Sequence, residues 1–248
     1  MPKKQLFISD LHLQPERPDI FEALLWFLDN IAQGAAELYL LGDIFEYWIG
    51  DDAPLPGAER LISALQTLQR HQDLAIFFQH GNRDFLVKTQ WLDQANITLL
   101  PESYPLQLVN GQTAVLMHGD QLCTEDTEYQ NFRSMVRNPA WQHQFLSKPL
   151  QERIAIAKSL RAESQARGAE KSYSIMDVSP DAVKQTLLCA KVDHLIHGHT
   201  HRPAHHQNQV KKGQGERWVL GDWDQAGWYL EVDEHELQLI RFEFPASI

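Results

Sequence analysis

Leu6-Phe7-Ile8-Ser9-Asp10-Leu11-His12 and Leu38-Tyr39-Leu40-Leu41-Gly42-Asp43 decide how the chain is read. Each is a short apolar run that stops abruptly at residues able to bind a metal. Strands buried on both faces have this profile, a continuous apolar run in place of strict alternation. The pattern returns three times. Ile76-Phe77-Phe78 leads into Gly81-Asn82-Arg83-Asp84, Val115-Leu116-Met117 into His118-Gly119-Asp120, and Leu195-Ile196 into Gly198-His199-Thr200-His201. Residues at the carboxyl ends of strands in a parallel sheet converge on one crevice, so their separation in sequence is no obstacle. Glycines beside them let the backbone turn sharply and approach closely.

Strands are thus expected at 5–9, 38–41, 74–78, 112–117 and 192–196. Between the first two, Ile20, Ala23, Leu24, Phe27, Leu28 and Ile31 recur at helical spacing; Leu61, Ala64, Leu65 and Leu68 mark a second helix, and Trp91 with Leu92 a third. The tail turns to β, and 217–220, 228–232 and 237–244 look like an antiparallel meander. Alternation followed by strands implies an α/β domain spanning 1–248, with two packed sheets flanked by helices. A connection of about 70 residues with helical periodicity, divided by Pro139 and Pro149, separates the fourth and fifth strands. It reads as a helical insertion, 122–175, standing over the site.

The 248 residues are 43% hydrophobic, enough for one well-filled core, and the formal net charge of −11 argues against a nucleic-acid partner. Two cysteines, Cys123 and Cys189, make no disulfide framework and suit free thiols in a reducing compartment. The basic start is followed by too short an apolar run for a signal peptide, and nowhere is there an apolar run near the roughly 20 residues of a membrane span. The expected location is cytoplasmic. Charge is segregated: 130–171 holds eight basic and three acidic residues, net +5, which leaves −16 for the rest once taken from −11. Any one of these cations suits an ordinary solvated helix face. As a cluster they point to an anionic substrate or membrane surface.

Asp, His and Asn offer hard oxygen and imidazole nitrogen without thiolate, a donor set for Mn²⁺, Fe or Zn. Two neighbouring divalent ions repel, and a carboxylate between them relieves this; Asp43 is the candidate bridge. Such a pair serves in-line displacement at phosphorus. Alone, an Asp-x-His pair, a Gly-Asp or a single His after a strand is ordinarily structural. Five together, each at a strand end, form a constellation. His197, His205 and His206 read as flanking histidines, Cys123 as an inert thiol, and Glu46, Asp51 and Asp52 as loop carboxylates that orient the site.

Asp-x-His, Gly-Asp, Gly-Asn, His and Gly-His-x-His, in this order, resemble the calcineurin-like metallophosphoesterases across nearly the whole chain. The longer stretches 7–13, 42–52, 81–86 and 118–124, with Asp126, are similar to one branch of that family, the bacterial UDP-2,3-diacylglucosamine pyrophosphohydrolases of lipid A biosynthesis. Arg83 stands where the wider family has His, a departure typical of that branch. Arginine can hold phosphate oxygens in a bidentate fork and stabilise transition-state charge.

The resemblance implies a four-layer α-β-β-α sandwich and two Mn²⁺ ions. Asp10, His12, Asp43 and His201 would hold one ion, and Asp43, Asn82, His118 and His199 the other. It further implies attack of water on the α-phosphorus of UDP-2,3-diacylglucosamine, giving UMP and 2,3-diacylglucosamine 1-phosphate, with Asn82 and Arg83 catalytic. Substrate contacts map onto Asn82, Arg83, Asp126, Ser164, Lys171 and His199. Another, often Asn in the family, falls at Gly168, which has only backbone groups to offer. The acyl chains would lie against Phe132, Val136, Trp141 and Phe145. Arg133, Arg137, Arg153 and Arg161 would meet an anionic inner-membrane surface on its cytoplasmic face. A nuclease or cyclic-nucleotide hydrolase on the same fold fits the acidic balance and Arg83 less well. A scaffold without metals would show replaced ligands, and all seven are intact.

Overall fold

The computed structural model describes residues 4–170 and 177–246, with the backbone alone over 163–170. In chain order the elements are β1 (Gln5–Ile8), α1 (Pro18–Asn30), β2 (Glu37–Leu40), α2 (Ala58–His71), β3 (Ala75–Phe78), α3 (Thr89–Leu92), β4 (Ile97–Leu99), β5 (Tyr104–Gln107) and β6 (Thr113–Leu116). Then come α4 (Thr127–Val136), α5 (Pro139–Leu146), α6 (Leu150–Glu170), α7 (Pro180–Ala190), β7 (His194–His197), β8 (Ala204–His206), β9 (Glu216–Val219), β10 (Ala226–Val232) and β11 (Leu237–Glu243).

The strands form two sheets, ordered β11-β10-β1-β2-β3-β4 and β5-β6-β7-β9-β8. Side-chain alternation assigns each strand residue to a layer. Leu6, Ile8, Leu38, Leu40, Ile76 and Phe78 face one way and pack with Ile20, Leu24, Phe27, Leu61 and Leu65 of α1 and α2. Phe7, Tyr39 and Leu41 face the other way and meet Ala114, Leu116, Ile196 and Trp218 of the second sheet. The outer face of that sheet, Val115, Met117 and Leu195, is covered by Val183 and Leu187 of α7. The layers are therefore helix, sheet, sheet and helix, an α/β sandwich. Phe7, Tyr39 and Phe77 stack in a row between the sheets, with ring centroids 4.7 Å apart.

Two expectations are corrected. The five ligand-bearing strands do not share one parallel sheet: β1, β2 and β3 lie in the first and β6 and β7 in the second. Their carboxyl ends meet at the rim where the sheets face each other. Nor is 217–220 part of a meander. It forms β9, parallel to β7 and antiparallel to β8, while β10 and β11 make a hairpin against β1. All three segments are apolar with turns between, so local pattern cannot tell which sheet each joins. The short strands β4, β5 and β8 went unseen because three or four residues, one of them Pro105 and two of them His, carry little β signal.

The connection over the site is helical. Asp126 caps α4 by accepting the Tyr129 amide, and Asn138 caps α5 by accepting the Ala140 amide, with Pro139 at the first helical position. Pro149 immediately precedes α6, so both prolines mark helix starts.

Candidate metal centre

Neighbouring strands in register deliver the ligands to one level: Ile8 lies opposite Leu40, Leu40 opposite Phe78, and Leu116 opposite Ile196. The loops then stay tied beyond the strands. Asp10 N donates to Gly42 O at 3.1 Å, His12 N to Asp43 O at 2.9 Å, and Gly198 N to His118 O at 2.9 Å. Holding so many side chains at one point strains the backbone. Asp10, His12, Asp43, His199 and His201 all have φ between 51° and 68°, the left-handed region that residues with a Cβ avoid. Such strain concentrates at functional sites. Gly42, at φ 83°, and Gly81 are glycine of necessity. A Cβ on Gly42 would overlap the Gly81 backbone, and one on Gly81 would overlap the amide and carboxylate of Asp43.

The side chains form two adjoining clusters. Asp10, His12 and His201 present ligand atoms within 4.8 Å of one another, and Asp10, Asp43 and His118 do the same. His12 Nε2 and His201 Nε2 are 3.2 Å apart, and Asp10 Oδ1 lies 3.4 Å from the latter. Asp43 stands between the halves, with Oδ2 3.9 Å from His12 Nε2 and Oδ1 3.7 Å from His118 Nε2. Asn82 Oδ1 lies 3.0 Å from His118 Nε2 and 2.8 Å from His199 Nδ1. All seven sequence-predicted ligands are thus brought together.

These residues fit a metal centre on their own chemistry. His118 Nδ1 donates to the Leu41 carbonyl at 2.9 Å, which leaves the Nε2 lone pair facing Asn82 Oδ1 and Asp43. Acceptors converging this closely call for a cation or proton among them. Asp10 Oδ1 is buried and accepts no hydrogen bond. Burial works to raise the Asp10 pKa, yet His201, with Nε2 3.4 Å from Oδ1, holds it well below the usual carboxylate range. Burial and the charge of His118 push His199 down to about 4, so its ring is neutral and able to ligate. Glu46 sits 2.7 Å from His12 Nδ1, the contact by which a carboxylate orients a ligating imidazole.

The other candidates take clear places. Arg83 donates its backbone amide to Asp43 Oδ1 at 2.8 Å; its Nε is buried without a hydrogen-bond partner, and it lines a cavity of about 1180 Å³. That cavity also reaches Asn82, Asp126, His199 and His201. Ser164 and Gly168 fall on α6, where only the backbone is described, and Lys171 lies outside the described residues altogether. Asp51 accepts from Trp48 Nε1, Lys88 N and Trp91 N, which fastens the loop after β2 away from the metal ligands. His197 is buried against the Gly198 carbonyl, His205 stacks on Trp218 at 3.7 Å, and His206 lies on β8. Cys123 lines the cavity, but burial and Asp120 push its thiol up to about 12.

Four arginines of the insertion have partners within the domain. Arg133 bonds Asp120 at 2.8 Å and Glu102 at 2.9 Å; Arg137 reaches the Gly81 carbonyl at 2.9 Å. Arg153, 3% exposed, is held by the Ile49 carbonyl and Asp52. Arg161 pairs with Glu46 at 2.8 Å. These cations clamp the helices onto an acidic domain. Phe132, Trp141 and Phe145 do line the cavity, while Val136 is buried beneath its helix.

The calcineurin-like phosphoesterase family profile matches residues 3–203. The UDP-2,3-diacylglucosamine hydrolase of Tolumonas auensis is 45% identical over 237 residues, covering 95% of this chain and 96% of its own length. Those of Shewanella halifaxensis and Cellvibrio japonicus are 46% and 49% identical, over 97% and 94% of this chain and 99% and 97% of their own. An archaeal phosphodiesterase structure aligns over 96% of this chain and 99% of its own, with a TM-score of 0.45 at 14% identity. With its clustered ligands and these relatives, the chain belongs to the calcineurin-like phosphoesterases, in the family of the UDP-2,3-diacylglucosamine hydrolases.

Proposed function

We propose that this chain hydrolyses the pyrophosphate bond of UDP-2,3-diacylglucosamine, releasing UMP and 2,3-diacylglucosamine 1-phosphate for lipid A synthesis. The observation that carries the reading is the mixed lining of the 1180 Å³ cavity. It combines Asn82, His199 and His201 with the apolar Trp48, Phe85, Trp141, Phe145 and Ile154. A diphosphate suits the first group of residues and acyl chains the second. The names of the relatives, each called a UDP-2,3-diacylglucosamine hydrolase, agree with both.

Two Mn²⁺ ions are the proposed cofactors, one held by Asp10, His12, Asp43 and His201 and the other by Asp43, Asn82, His118 and His199. Bound there, they supply the Lewis acidity and nucleophile activation that in-line displacement at phosphorus needs. The chain's own residues do the rest. Asp43, with one oxygen toward each half, would help hold both ions. Arg83 presents a permanently charged fork to the phosphate oxygens, where charge builds as water adds to the α-phosphorus and the bond to the sugar phosphate breaks. Asn82, Asp126, Ser164, Gly168, Lys171 and His199 are proposed to position the substrate. The stacked Trp141 and Phe145 rings, 5.2 Å apart, receive acyl chains.

The proposed location is the cytoplasmic face of the inner membrane, where the acyl chains of the substrate reside. Tyr47 and Leu150 support it: both line the cavity and are 38% and 40% exposed, an apolar rim at its mouth. No helix among the described residues is long and apolar enough to cross a membrane, so contact would be peripheral.

Incubation of the purified chain with Mn²⁺ and UDP-2,3-diacylglucosamine, with UMP as the readout, tests the proposal. UMP release that far exceeds release from an unacylated UDP-sugar is expected. Equal rates on both would remove the lipid from the assignment.

A further inference from the structure

We propose that Asp84 is a positioning residue, which sets the places of Asp43 and Asn82 by gripping the main chain of both their loops. Asp84 has no exposed surface and does not line the cavity, so it does not touch substrate. A carboxylate this deeply buried is costly and ordinarily sits against a cation. Here its partners are backbone amides. Oδ2 accepts Ile44 N at 2.8 Å and Phe45 N at 3.4 Å, from the loop after β2, and Oδ1 accepts Gly81 N at 2.8 Å, from the turn after β3.

The positions of these amides give the contact its consequence. Ile44 N belongs to the peptide that follows Asp43, so its bond to Asp84 fixes the ψ of a residue already strained at φ 52°. Gly81 N immediately precedes Asn82 and fixes the entry to that turn. The second loop is bound in return, because Asp43 Oδ1 accepts Arg83 N at 2.8 Å. Each aspartate thus accepts amides from the other's loop. The loops touch so closely that Gly81 has no room for a Cβ. An asparagine at 84 would keep the shape and turn an N–H₂ toward one set of amide donors, which cannot accept it.

The inference rests on the proposed reading of Asp43 and Asn82 as metal ligands. Its test is Mn²⁺ binding to the metal-free full-length chain by calorimetry, alongside kcat, KM and thermal midpoint, for wild type, Asp84→Asn and Asp84→Glu. Asp84→Asn is expected to weaken Mn²⁺ affinity and lower kcat by about 10–100-fold, the usual effect of losing support behind metal ligands, with KM nearly unchanged. Asp84→Glu, which keeps the charge, should recover part of both. A folded Asp84→Asn that loses thermal stability but keeps wild-type Mn²⁺ affinity and kcat would make Asp84 a purely structural residue and overturn the proposal. If Asp84→Asn does not fold, Asp84→Glu decides. Weaker Mn²⁺ binding with unchanged KM supports the role, and wild-type values in every measurement refute it. Failure of wild type itself to bind Mn²⁺ would instead overturn the metal assignment.

Discussion

The floor and roof of the cavity handle charge in opposite ways. On the floor, Asp10, Asp43, Asn82 and four histidines turn ligand atoms toward one another at about 3–4 Å. In the roof, each of Arg133, Arg137, Arg153 and Arg161 is matched with a carboxylate. A set of donors incomplete without a cation is poised to bind one; a set of matched pairs holds a shape. On the proposed function, the floor carries the chemistry and the roof shapes the space above it.

That division predicts graded effects. Asp43→Ala removes the group facing both halves of the floor. It should cost on the order of 10³-fold in turnover, the loss of several kcal/mol of transition-state stabilisation, for acylated and small soluble substrates alike. Metal analysis should show less bound metal; two equivalents still bound with near-normal turnover would break the comparison.

Arg83→Ala should lower kcat by about 10²-fold while the metals stay in place. If only KM changes, Arg83 contributes uniform binding and no transition-state stabilisation.

In the roof, Trp141→Ala removes part of the apolar wall, about 1–2 kcal/mol of contact. KM for the acylated substrate should rise about tenfold, with hydrolysis of a small soluble phosphodiester unchanged. A matching loss on both substrates would show that the roof shapes the floor as well. The smallest effect on activity belongs to Arg153→Ala. Loss of its bonds to the Ile49 carbonyl and Asp52 should lower unfolding stability by about 2 kcal/mol, while vesicle binding stays at wild-type level. Denaturant titration and vesicle sedimentation check the two halves of that statement.

The floor was legible in the sequence because each ligand follows directly on its strand. An apolar run in a fixed register carries its last residue to the rim, and local pattern suffices. Asp10, Asp43 and Asn82 needed nothing more. The left-handed backbones of Asp10 and Asp43, and the amides gathered by Asp84, depend on contacts between loops distant in sequence. The signal that pointed to the close approach of these loops was the glycine before Asp43 and before Asn82; Asp10, between Ser9 and Leu11, has none. The roof was legible as helices, through Pro139, Pro149 and the apolar spacing. The direction of its charges was not. Arg153 reads like any solvated arginine until Asp52 and the Ile49 carbonyl are found beside it. Arg217–Val219 failed for a related reason: β9 takes its place from pairing with β7 and β8, which the segment's own residues do not specify.

The central claim is that this floor directs water to the α-phosphorus of an acylated UDP-sugar. Hydrolysis of UDP-2,3-diacylglucosamine by the Mn²⁺-loaded chain in ¹⁸O-labelled water, followed by mass spectrometry of both products, tests it most directly. The account predicts one ¹⁸O atom in UMP and none in 2,3-diacylglucosamine 1-phosphate. Label in the sugar phosphate, or no release of UMP, would contradict it.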